Sequence, residues 1–287
     1  MDTGAAAIMV GLCAIWALGQ IAIKIGNEGI SPLWQAGLRS VGAALVIAAW
    51  MRWRGLKWTH TPGTAGWALT IGTVFAIEFV CLYIGLGLTT ASRGTVLLYT
   101  APFFVAAGAH FLLGDRLTPA RLAGLALAFA GVVVALADRG SGLTRGDWRG
   151  DLLCLAAAAA WGVTTLIVKG SPLRAEPPER TLLQQLVVSA VILLGASLAI
   201  GEAGAFATTP RIWGAFAWQV LAVASFSYLG WFVMVQRHSS AKVSAFTFLT
   251  PLFGVTLAAL LLGERPTPAL AVATGLIAAG IWLVNRR

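Results

Sequence analysis

Charge is what this chain has least of. Asp, Glu, Lys and Arg make up 11% of its 287 residues, whereas 58% are hydrophobic and the mean hydropathy is +0.83. Ordinary soluble domains carry roughly 25% charged residues, so this balance excludes a soluble globular fold and leaves an integral membrane protein. Cysteine is also rare. Cys13, Cys81 and Cys154 are odd in number, lie within apolar stretches and lack metal-ligand spacing, which argues against a disulfide framework or a zinc site and makes them packing residues. The three histidines, His60, His110 and His238, are scattered, and no two acids share an apolar stretch. Intramembrane proteases and transferases need converging groups such as Ser-His or paired aspartates, so that enzyme class is disfavoured. No Gly-x-x-x-x-Gly-Lys-Ser/Thr sequence is present, which argues against direct use of ATP. The opening Met1-Asp2-Thr3 has neither the basic segment nor the early cleavage site of a secretory signal, so the first apolar stretch is expected to be retained.

What the chain has in abundance is apolar length, and it has it twice. A membrane-crossing helix needs about 20 mostly apolar residues. Ten such stretches centre near Ile15, Ala43, Ile77, Phe104, Leu127, Ala160, Ser189, Ala224, Thr256 and Ile277. Pro102-x-Phe104 through Leu112-Leu113-Gly114-Asp115-Arg116-x-Thr118-Pro119-Ala120 returns as Pro251-x-Phe253 through Leu261-Leu262-Gly263-Glu264-Arg265-x-Thr267-Pro268-Ala269, offset by 149 residues without a gap. Five spans fall in each copy. An odd number of spans makes the second copy enter the bilayer in the opposite sense, giving two inverted repeats, an arrangement found in secondary transporters. The expected fold is therefore all-α, with ten transmembrane helices. The first repeat covers 1–138, a polar, Gly-rich linker 139–150, and the second repeat 151–287.

Helix starts are marked by a hydroxyl residue before proline at Ser31-Pro32, Thr61-Pro62, Thr118-Pro119, Thr209-Pro210 and Thr267-Pro268. The hydroxyl can cap a free N–H, and proline at the first helical position loses no hydrogen bond. If the N-terminus is cytoplasmic, the inner connections hold twelve Lys and Arg and the outer ones seven, among them Arg93 and Lys24. The excess favours both termini inside. The net charge of +9 is then an orientation signal, and no nucleic-acid partner is expected.

Several of these residues resemble a known family. The first span, Ile15-Trp16-Ala17-Leu18-Gly19-Gln20 to Lys24, is similar to the opening helix of the EamA-type halves of the ten-helix drug/metabolite transporter superfamily, and Ala160-Trp161-Gly162 to Lys169 repeats it. In both copies Lys follows Trp by eight residues. Leu38-Arg39 in the second span, and Tyr83 through Thr90-Ala91-Ser92 to Pro102 and Gly114-Asp115-Arg116, extend the likeness. The second copy has Gln184-Gln185 where the first has Arg39, a departure from the pattern. The layout and aromatic density further resemble amino-acid exporters of the YddG type. The resemblance implies a secondary transporter of the cytoplasmic membrane that exports small metabolites, foremost amino acids including aromatic ones. Substrate would bind between the repeats and be released by alternating access. A broader drug or nucleoside-type carrier is the alternative.

Candidate site residues follow from the cost of polar groups at bilayer depth. Glu78 is the only acid well inside a span; it is read either as a ligand for a substrate ammonium or proton, or as a partner for Arg39. Arg39 could fork onto a substrate carboxylate or neutralise Glu78. Trp16 and Trp161 stand about two turns inside their lysines and are candidates for lining a central cavity, with Tyr83, Tyr99, Tyr228 and Trp231 in the same wall. Lys24 and Lys169 are read as snorkelling to the interface, and His110 as a packing residue. Trp50, Trp53, Trp58, Trp67, Trp213 and Trp218 fit an interfacial belt. Pro102 and Pro251 each remove a hydrogen bond inside a span, so a kink is expected at each, serving as a hinge or as a fixed bend. Gly124, Gly131, Gly275 and Gly280 permit close helix approach. No cofactor or metal is implied, the partners are a small-molecule substrate and the lipid bilayer, and ten helices suffice for a monomer.

Overall fold

The computed structural model describes residues 3–57, 61–114, 118–137, 146–202, 204–207, 209–237, 246–247 and 249–285. The first repeat supplies α1 (Thr3–Gly26), α2 (Pro32–Trp53), α3 (Ala65–Leu88), α4 (Ala91–Leu98), α5 (Ala101–Leu112) and α6 (Pro119–Ala137). The second supplies α7 (Trp148–Gly170), a short 3-10 turn (Pro172–Ala175), α8 (Pro178–Ala199), α9 (Pro210–Trp218), a π-helical segment (Gln219–Ser227), α10 (Tyr228–Arg237), α11 (Leu249–Leu262) and α12 (Pro268–Asn285). Seven helical stretches have the length and composition to cross a membrane, α4 with α5 and α9 with the residues after it each counting as one. Three shorter apolar helices, in α6, α11 and α12, complete the ten. The architecture is an all-helical membrane protein built from two inverted five-span repeats.

The two copies interleave. Helix α3 packs against α7 and α8, α1 against α9, the π segment and α11, and α4 against α11. At the centre, α2 crosses α8, where Ser189 Oγ donates to Ser40 Oγ at 3.1 Å between two buried residues. The contact joins the second span of one copy to the second span of the other. On the periphery α6 and α12 pair. A Cβ at Gly131 would come within 2.9 Å of the Ala273 carbonyl, and one at Gly280 within 2.7 Å of the Gly124 carbonyl. Gly275, by contrast, faces open space. Outward-facing apolar side chains such as Phe111, Phe129 and Leu260 are exposed, as lipid contact requires.

Because α1 starts on one face and successive spans alternate, the face of the N-terminus is called near and the other far. The far face is joined by polar links between copies. Ser31 N donates to Gly204 O at 2.8 Å, and Phe206 N and Ala207 N both donate to Gly29 O. The N-terminus of α2 is capped by Glu202, which accepts from Leu33 N at 3.2 Å and Trp34 N at 2.9 Å. Ser31, the expected cap, makes no capping hydrogen bond. Asp151 of α7 accepts from Arg93 Nε at 3.0 Å and from Thr89 Oγ1 at 2.7 Å, and Arg93 Nη2 also donates to Ala135 O. On the near face, Glu176 accepts from Thr61 N at 3.2 Å and pairs with Arg180 at 2.6 Å. Burial works against the Glu176 charge, but hydrogen bonds from Thr61 and the Arg180 cation outweigh it and hold its carboxyl below the usual range.

Two local expectations are corrected. Thr61-Pro62 does not start a helix: α3 begins at Ala65, because Thr61 is tied to Glu176 and Thr64 Oγ1 turns back to Thr61 O. The break in the fourth span precedes its proline. Tyr99 and Thr100 separate α4 from α5, and Pro102 sits in the first turn of α5, where it removes no helical hydrogen bond. Pro251 likewise stands in the first turn of α11. Thr209 and Thr267 cap as expected, accepting from Ile212 N and Leu270 N.

Arg93 and Asp151 are 4% and 1% exposed, so removing one partner strands a buried charge. Arg93→Met is expected to cost about 3–5 kcal/mol, read as a fall in thermal unfolding temperature in detergent. Combining it with Asp151→Leu should recover most of the loss.

Candidate functional site

Polar side chains that the two copies cannot satisfy by simple helix capping collect in the interior. Arg39 on α2 is 2% exposed, and its guanidinium lies over the Phe79 ring at 4.1 Å. It stands beside the hydroxyls of Tyr83 and Tyr228 and within electrostatic reach of Glu78. Its Nη1 is buried without an acceptor among the described residues. Glu78 on α3 is 6% exposed, and no ion pair within 4.0 Å joins it to Arg39. The structural pairing of these two residues is therefore not made: Arg39 stacks on an aromatic face instead, a cation–π contact available to a planar guanidinium.

Tyr83 opens a chain of amides. Its hydroxyl donates to Gln219 Oε1 at 2.6 Å, and Gln219 Nε2 donates to Ala22 O at 2.9 Å and Gln35 Oε1 at 3.0 Å. Gln35 Nε2 continues to Asn27 Oδ1 at 2.8 Å, and Asn27 Nδ2 returns to Tyr83 O at 3.0 Å. Gln219 is the sole member of this chain from the second copy. It begins the π segment, where Ser225 Oγ bonds Val220 O five residues back. π turns are uncommon and concentrate at functional sites. This one packs closely because Gly19 and Gly42 face it: Cβ atoms there would lie 3.1 Å and 2.9 Å from Val223 and Val220.

Aromatic residues flank the cluster in two groups. Trp16 is half-buried; its Nε1 donates to Ser227 Oγ at 2.8 Å, and its ring meets Trp231 edge-on at 5.4 Å. Trp161 meets Tyr99 edge-on at 5.7 Å. Tyr99 sits in the gap between α4 and α5, with the Thr250 hydroxyl alongside and Tyr228 within electrostatic reach. Tyr83 and Tyr228 thus meet Arg39, while Tyr99 is tied to the group only through Tyr228. Both Trp16 and Trp161 pack against the central core. The positions paired with Tyr99 and Tyr83 one repeat on are Phe248, which lies outside the described residues, and Phe232, whose side chain does too. Trp58 is also outside them, while Trp53, Trp67 and Trp213 are exposed at span ends. His110 is half-buried against Phe111.

Gln35, Asn27, Gln219 and Ser227 were not among the residues singled out in the sequence. The signal was available, since an amide in an apolar stretch also demands a partner.

Both halves of the chain match one family model, over residues 3–137 and 148–286, that of the EamA-like transporter family. The chain belongs to this family. EamA proteins are transporters, and no enzymatic activity is assigned to this chain. Among its relatives is an uncharacterised transporter of Archaeoglobus fulgidus, 27% identical over 95% of this chain and 94% of that one. A protein of Escherichia coli named a probable amino-acid metabolite efflux pump is 26% identical over 94% and 90% of the two chains. One of Streptantibioticus cattleyicolor named a probable terminal-alkyne amino-acid exporter is 30% identical over 95% and 90%. A crystal structure 20% identical in sequence covers 97% of this chain and 96% of its own, with a TM-score of 0.69, and shares the fold.

The amide chain has a measurable worth. Gln219→Leu takes the acceptor from the Tyr83 hydroxyl and the donor from the Gln35 amide oxygen, at about 1–3 kcal/mol per group. Its unfolding temperature in detergent should fall clearly further than that of Tyr83→Phe, which breaks one of the same bonds.

Proposed function

We propose that this EamA transporter exports amino acids, aromatic ones included, by alternating access around the interior cluster of Arg39, Glu78, Tyr83, Tyr99 and Tyr228. The observation that carries the reading is Arg39, a fully buried guanidinium whose Nη1 has no acceptor. A buried charge-assisted donor left unpaired is costly, and a carboxylate offers the matching acceptor geometry. Glu78, buried and with no ion pair within 4.0 Å among the described residues, would complement an α-ammonium. The Trp16–Trp231 and Tyr99–Trp161 pairs offer ring edges and faces for an apolar or aromatic side chain. The names of the relatives in E. coli and S. cattleyicolor support amino acids as the substrate class.

In this reading the two repeats are residues 1–138 and 151–287, joined by the polar linker, and one chain encloses the whole pathway. The Lys and Arg excess puts both termini in the cytoplasm of a bacterial-type inner membrane, so the near face is the cytoplasmic one. The polar links between copies are denser across the far face than across the near one, where Glu176 meets Thr61, and in this reading they belong to a conformation that loads from the cytoplasm. The gap at Tyr99–Thr100 and the first turns holding Pro102 and Pro251 are the points at which the fourth and ninth spans would bend.

Proteoliposomes loaded with a labelled amino-acid panel test the assignment. Efflux of phenylalanine, tryptophan or leucine is expected, with Arg39→Ala losing at least about tenfold in flux and Arg39→Lys recovering only part of it, because an ammonium lacks the planar fork. Absence of flux for every amino acid, or competition by cationic drugs alone, would overturn the substrate class.

A further inference from the structure

The two lysines that follow the repeated tryptophans occupy different states. Lys24, near the end of α1, is half-buried and does not snorkel: its Nζ donates to Leu86 O at 3.2 Å, in the last turn of α3, and to the O of its C-cap residue Thr89 at 2.6 Å. On the other side of the same α3–α4 corner, Glu264 accepts from Ala91 N at 2.7 Å, Ser92 N at 3.0 Å and Ser92 Oγ at 2.5 Å. A cation thus holds a helix C-terminus and an anion the next helix N-terminus, each on the side its charge favours. Lys24 and Glu264 also attract each other. The corner is clamped by α1 of its own copy and by the loop after α11 of the other.

Lys169 stands in the corresponding place at the end of α7, eight residues after Trp161. It is exposed, and it makes no hydrogen bond or ion pair among the described residues. Inversion of the repeat puts it on the near face, opposite Lys24. A repeated residue that is engaged on one face and disengaged on the other is what two interconverting, symmetry-related conformations produce, each with one lysine bound.

We propose that Lys24 and Lys169 are reciprocal latches of the transport cycle. Lys24 holds the far face shut by binding the C-terminal carbonyls of α3. Lys169 binds the C-terminal carbonyls of α10 when the near face shuts. Both are positioning residues that touch no substrate. The inference rests on the alternating-access reading but not on the identity of the substrate.

A native thiol reports on it. Cys154 of α7 is fully buried beneath the clamped corner, where Cβ atoms at Gly85 and Gly94 would lie 3.0 Å and 3.3 Å from its sulfur. With Cys13 and Cys81 replaced by Ala, N-ethylmaleimide labelling of Cys154 in proteoliposomes without substrate measures opening of the far face. Lys24→Gln is expected to speed labelling at least about tenfold, the factor set by losing one of its two charge-assisted hydrogen bonds. Lys169→Gln is expected to slow it, and the double variant to fall between. Lys→Arg at either position should restore labelling towards the native rate. In flux assays each single variant should lower turnover with little change in KM. Labelling accelerated equally by both variants, or unchanged by Lys24→Gln in a chain that keeps its native unfolding temperature, would overturn the proposal. Should Lys24→Gln fail to fold, Lys169→Gln still decides: faster or unchanged labelling refutes it. Reciprocal labelling in a chain that moves no amino acid would leave the latches standing and remove only the substrate assignment.

Discussion

Everything in this molecule depends on the rule that a polar group inside a bilayer must find its partner within the protein, because hydrocarbon supplies none. With only eleven acidic residues to spend, the chain places four of them in the second copy where they serve the first. Asp151 holds Arg93 and Thr89, Glu176 holds Thr61, Glu202 caps α2, and Glu264 caps α4. None of these interactions could form within one repeat alone. The copies are joined by polar groups as well as by apolar packing, and joints of that kind can be exchanged for others when the halves move.

Against that background the residues left unsatisfied stand out. Arg39 and Glu78 are as buried as Asp151, yet no ion pair joins them. A protein that matches its buried charges elsewhere and leaves these two open has an acceptor and a cation still to accommodate. Both come from the first repeat, without counterparts in the second, whereas the tryptophans, the lysines and the prolines of the broken spans are kept in both. The matched residues build a symmetric pathway. The unmatched ones give it a chemistry.

The fold was legible in the sequence because its signals are cooperative: a match at one offset from Pro102 to Ala120, five spans per copy and the Thr118-Pro119 and Thr267-Pro268 starts within that match all point to the same inverted architecture. Local features were lost where a distant partner overrides a local motif. Thr61-Pro62 resembles a helix start, but Glu176 captures it and delays α3 to Ala65. Arg93 read as a charge of an outer connection because nothing local announces Asp151, which the start of α7 at Trp148 turns inward to meet it. Lys24 read as a snorkelling side chain because nothing local announces the α3 carbonyls it meets. At the site, the aromatic and charged members were visible one by one as costly residues in apolar stretches. The amide chain through Gln219 and its π segment was not, since no propensity marks a π turn and amides carry no charge.

The central claim is that substrate binds between the repeats at the open guanidinium of Arg39. A structure determined with bound tryptophan tests it most directly. The account predicts ligand density with its carboxylate within hydrogen-bond distance of Arg39, its ammonium towards Glu78 and its ring against Trp16 and Trp231 or Trp161 and Tyr99. Density lodged elsewhere, with Arg39 still lacking an acceptor, would contradict it.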